Sequence, residues 1–148
     1  MGLRGVVLSR ALFGAAAVLW LTAVFLPPVS EGSGASLSSH RLADLLASGL
    51  LAASAPPWLG LLWYAMPIGA ALTLMALGLG GWSGALLRIG AATVATVSAL
   101  TVGAVVSNLE VGRLGSGLWC AVIGSVFAVF ACGLEIALSG RGGNAGVL

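Results

Sequence analysis

Four long apolar stretches, covering about residues 6–26, 58–80, 84–106 and 116–138, are separated by prolines, glycines and most of the charges. Each is close to the ~20 residues that a helix needs to cross a bilayer. The first is densest from Ala11 to Leu26 and stops at Pro27 and Pro28, which cannot continue a helix. The second starts at Trp58, behind Pro56 and Pro57, and reaches the break at Gly80 and Gly81. The pattern predicts an all-α, polytopic integral membrane protein with four transmembrane helices, forming a single membrane domain over residues 1–148. The glycine-rich tail at 139–148, SGRGGNAGVL, is expected to fray.

The extended polar passage is the first loop, residues 27–57. Within it SLSSHRLADLLASGLL, from Ser36, offers serines as an N-cap. Leucines at 42, 45, 46 and 50 follow at helical spacing, against a face bearing Arg41, Asp44 and Ser48. This predicts a short amphipathic helix lying on the membrane, too short and too polar to span it. PPVSEGSGAS before it reads as a flexible tether. His40 and Asp44, and likewise Arg41 and Asp44, stand one turn apart, so local side-chain pairing is expected. His40, Arg41 and Asp44 are the candidate contact for a partner at this outer loop. A Ser-His-Asp hydrolase is a poor fit, because His40 and its serines are immediate neighbours and no oxyanion-hole motif accompanies them.

Composition supports the membrane reading, with 59% hydrophobic and 7% charged residues and a mean hydropathy of +1.13, whereas soluble domains are about a quarter charged. All 6 basic residues are arginines, an arginine-only usage that fits a GC-rich bacterial source. The net charge of +2 is small and scattered, and no basic stripe with interleaved aromatics suggests nucleic acid. Placing Arg4, Arg10, Arg88 and Arg141 inside leaves only Arg41 and Arg113 outside. This satisfies the positive-inside bias and puts both termini in the cytoplasm of a cell membrane. Trp20, Trp58, Trp63, Tyr64 and Trp119 then fall toward the outer boundary and Trp82 toward the inner one, as headgroup-level aromatics should. The first stretch also admits a signal-peptide reading, with Ser33 and Ala35 as a cleavage pair.

Small residues recurring every four positions mark faces where membrane helices approach closely. The third stretch has Ala91, Ala95, Ala99, Gly103 and Ser107, and the fourth has Cys120, Gly124, Ala128 and Cys132. The two helices are expected to pack on each other or on a partner through these lines. Pro67, in the middle of the second stretch, predicts a kink.

Two charges lie within the apolar stretches, Arg88 and Glu135, each about one turn from the inner end of its helix. Equal depth predicts an inner-side ion pair. A proton or ion relay is the functional alternative, but the remaining polar stations are hydroxyls such as Thr73, Thr93, Thr96, Ser98, Thr101 and Ser125. Cys120 and Cys132 are about 18 Å apart on one helix and cannot form a disulfide. With one histidine and no paired ligand spacing, no metal or cofactor is expected. GWSG at Gly81–Gly84 resembles the GxSG stretch around the nucleophile of the rhomboid intramembrane proteases. That resemblance covers four residues and would need a six-helix core with a facing histidine, whereas here four spans are expected and His40 falls on the opposite side.

Three functional classes follow. The first is a non-catalytic accessory or assembly subunit of a bacterial membrane complex, contacting another membrane protein or itself within the lipid bilayer. The second is an oligomeric small transporter or channel subunit, and the third an intramembrane enzyme.

Overall fold

The computed structural model describes residues 2–31, 36–50, 56–106 and 114–142. They form five helices, α1 (Gly2–Phe25), α2 (Ser39–Ala47), α3 (Trp58–Ala76), α4 (Gly81–Val106) and α5 (Ser116–Gly142). All but α2 are long and apolar enough to cross a membrane, and the chain is an all-helical, four-span membrane protein. Helix α1 begins well before its apolar stretch, and α5 continues to Gly142, into the tail expected to fray. Pro57 adopts helical angles (φ −58°, ψ −29°) just ahead of α3, a position where its missing N–H costs nothing. The tight turn into α4 uses Gly81 at φ 71°, and α2 is closed by Gly49 at φ 77°. Both are left-handed conformations that glycine adopts without a side-chain penalty.

The four long helices form a closed ring in the order α1, α5, α4, α3, with α5 packed most extensively on α1 and α4 on α3. The interior is made of alanines interleaved with a few large side chains: Phe13, Trp20, Leu59, Trp63, Met66 and Leu118 are fully or almost fully buried. Branched aliphatics such as Val94, Val97, Val129 and Ile136 point outward. This inversion is expected where lipid is as apolar as the core and helices associate through close backbone approach.

The small-residue lines do mark contact faces, but their partners differ from the expected ones. A Cβ on Gly69 of α3 would lie 2.8 Å from the Ala91 carbonyl and 3.0 Å from the Ala95 Cβ. The α4 line is therefore seated mainly on α3. On α5, a Cβ at Gly124 would come within 3.1 Å of the Ala16 carbonyl and of the Trp20 indole nitrogen of α1. Helix α4 also meets α5, where a Cβ on Gly103 would lie 3.1 Å from the Leu118 side chain, and Ala128 and Cys132 of α5 share a groove with Ala92 and Thr93 of α4. Ala99 and Ala128 are buried, and Ser107 lies outside the described residues.

At the α2 end, backbone hydrogen bonds fasten the chain leaving α1. Gly115 N–H donates to Pro28 O (2.9 Å), Gly117 N–H to Pro27 O (2.9 Å), and Ser39 N–H to Leu26 O (3.1 Å). Val29 pairs with Leu114 in an isolated antiparallel bridge. Helix α2 lies against the start of α3, where a Cβ on Gly60 would meet the Ala43 carbonyl and the Ala47 nitrogen at 2.5 Å. Helix α3 runs unbroken through Pro67.

Candidate functional site

Polar side chains inside an apolar bundle must be paired, because unpaired ones cost several kcal/mol, roughly, in a medium without water. The main cluster lies at the end of the bundle opposite α2. Arg88, 3% exposed, forms an ion pair with Glu135 on α5. Its Nη1 donates to Ala76 O (2.9 Å) and Leu79 O (2.8 Å). These carbonyls belong to the last residue of α3 and the turn after it, so the guanidinium caps a helix C-terminus, where a cation is electrostatically favoured. The second oxygen of Glu135 accepts from Ser9 Oγ at 2.5 Å, on α1. One arginine and one glutamate thus join α1, α3, α4 and α5.

Sequence reasoning brought Arg88 and Glu135 together but missed Ser9 and Arg10. Ser9 is fully buried, and Arg10 lines the same 310 Å³ groove as Arg88, Glu135 and Trp82. The available signal was depth: position 9 stands as far from the start of α1 as Arg88 stands from the start of α4, and position 10 one residue further.

Three of the hydroxyls named for a relay bond locally. Thr73 donates to Gly69 O, Thr93 to Ile89 O and Ser125 to Ala121 O, each at 2.8 Å and each one turn back on its own helix. These are local back-bonds, not stations facing one another.

The α2 polar face is organised differently from the expected local pairs. Asp44 accepts a hydrogen bond from Tyr64 OH of α3 rather than pairing with Arg41, and among the described residues the one ion pair is Arg88–Glu135. His40 Nδ1 is 3.1 Å from Ser38 Oγ, and its ring stands edge-on to Phe25 with centroids 6.3 Å apart. Ser38 occupies the N-cap position without a side-chain cap, and Ser39 Oγ donates instead to Leu26 O (2.7 Å). Tertiary contacts across to α3 and α1 have replaced pairing along α2. Arg41 remains exposed.

Two of the expected boundary aromatics are core residues. Trp20 is fully buried, and its Nε1 donates to Ala121 O (3.2 Å). Trp63 is 3% exposed. Trp58 and Trp119 at one end and Trp82 at the other are exposed, as headgroup-level rings should be. Ser83 of the GWSG stretch lies in the first turn of α4, at the opposite end of the bundle from His40. Cys120 and Cys132 are free and half-buried. Among the described residues no group of three or more His, Cys, Asp or Glu side chains is placed to hold a metal. The chain matches no protein-family model, no curated protein and no solved structure.

Proposed function

We propose that this chain is a non-catalytic subunit of a bacterial membrane assembly, which binds a transmembrane helix of another membrane protein along the outer groove between α3 and α4. The observation that carries this reading is Gly90. It lines a groove of about 360 Å³ with Ala65, Ile68, Leu72, Leu87 and Val94. A Cβ there would meet nothing within 4 Å. Glycine inside a helix costs about 1 kcal/mol relative to alanine, and no described residue needs the missing side chain. A close approach from outside would use it, since small residues let membrane helices come together. The polar clusters support the same reading: their main charged group is engaged in joining helices. The exposed Arg41 and Asp44 of α2 supply a polar surface beside the outer end of such an interface. The assembly sits in the cell membrane with both termini and the Arg88 end facing the cytoplasm, as the arginine distribution favours.

Gentle-detergent purification of tagged wild-type and Gly90→Leu chains, followed by mass spectrometry of the intact complex, tests the proposal. The wild type should carry a second protein at fixed stoichiometry, and Gly90→Leu should lose it while keeping its thermal unfolding profile. Retention of the partner by Gly90→Leu would sink the groove assignment. A wild-type homo-oligomer would favour the transporter or channel reading instead.

A further inference from the structure

The groove at the Arg88 end holds more positive charge than the chain neutralises. It is walled by Val6 and Arg10 of α1, by Trp82, Ala85 and Arg88 of α4, and by Glu135 and Leu138 of α5. Glu135 is committed to Arg88 and Ser9. Arg10 makes no hydrogen bond or ion pair among the described residues, and its buried Nε has no acceptor. The buried Nε of Arg88, on a side chain 3% exposed, also lacks one. Two arginines and one glutamate line this cleft, so its formal charge is +1.

We propose that this groove binds the phosphate group of an anionic glycerophospholipid. Guanidinium groups form charge-assisted, often bidentate hydrogen bonds with phosphate oxygens. Arg10 supplies the charge in excess of the Arg88–Glu135 pair. The cleft lies where lipid headgroups lie, close to the ends of three spanning helices. Its lip carries Trp82, 65% exposed, and Val6, 40% exposed. An aromatic of this kind favours the headgroup level and an aliphatic neighbour suits the first carbons of an acyl chain. The volume, about 310 Å³, accommodates a phosphate with its glycerol. A lipid bound here would balance the excess charge beside the cluster that ties the four spans, so occupancy is expected to stabilise the fold.

The test uses the full-length chain in mild detergent, with native mass spectrometry after addition of phosphatidylglycerol or phosphatidylcholine of the same acyl composition. Wild type should favour phosphatidylglycerol by roughly five- to tenfold, the scale of one added charge-assisted contact near the membrane surface. Arg10→Gln should bring the two lipids to near equality without changing the unfolding temperature in lipid-free detergent. Arg41→Gln, which removes the same charge at the other end, should keep the preference. Equal binding of both lipids by wild type, or a preference kept by Arg10→Gln, would overturn the proposal. Equal loss in the two variants would also overturn it, by showing bulk charge attraction alone. Inorganic phosphate should leave the lipid adducts in place at concentrations matching the lipid. Displacement at that concentration would assign the groove to the free anion and end the lipid reading.

Discussion

Arg88 serves two helices at once, which makes its loss different from the loss of Glu135. Leucine at 135 would leave the guanidinium still capping Ala76 O and Leu79 O, but with its charge uncompensated in a low-dielectric setting. Leucine at 88 would leave Glu135 with Ser9 Oγ and the nearby Arg10, and would also strip the α3 terminus of its donor. Each single substitution should lower stability in detergent by about 3 kcal/mol, because breaking one half of a buried pair strands the other half. The double substitution should be clearly more stable than the sum of the two losses implies. It should not reach wild type, since the two α3 carbonyls would still lack their donor. Additive losses in denaturant or thermal unfolding would show that the charges are not coupled and that the pair contributes nothing as a unit.

Helix α2 depends on one glycine in α3. The Ala43 carbonyl and Ala47 nitrogen stand 2.5 Å from where a Gly60 side chain would begin. Both are backbone atoms and cannot swing aside. Gly60→Ala should therefore lift α2 off the bundle while leaving the four spans folded, read as faster amide exchange confined to residues 39–47 and greater solvent access to Trp63. On α4, Ala99 is 2% exposed and Leu100 48% exposed. Ala99→Leu should cost a few kcal/mol, roughly, as overpacking does, and Leu100→Ala much less. At this scale the sequence was informative about faces and silent about partners. Four-residue spacing on the third and fourth spans identified contact sides, because periodicity reports direction around a helix axis. Which helix fills that side depends on where its own small residues fall, here Gly69 on α3 and Ala16 on α1. The strap joining 26–29 to 114–117 was not legible, since it consists of backbone hydrogen bonds that glycines at 115 and 117 merely permit. Ser9 and Arg10 were hidden because a single serine beside a terminal arginine reads as helix-end polarity until α5 is known to pack on α1.

Each of the four long helices is long and apolar enough to cross the membrane once, so a position after one crossing and a position after two must lie on opposite sides of the membrane. Glu31, exposed, follows the first crossing, and Ser83, exposed, follows the second. Arg4, Arg10 and Arg88 share the Ser83 end, and Arg41 lies at the Glu31 end, so the orientation proposed from the arginine bias has the Ser83 end in the cytoplasm. Core placement of Trp20 and Trp63 removes two aromatics from the argument without reversing it, because the exposed Trp58, Trp119 and Trp82 still mark the two boundaries. In a background with Cys120 and Cys132 replaced by alanine, Glu31→Cys should react with a membrane-impermeant maleimide in intact cells. Ser83→Cys should react only after lysis. The reverse result would invert the molecule and show that some determinant outweighs the arginines. Labelling of both positions in intact cells would contradict the crossing count itself, because α3 could not then lie between them as a membrane span.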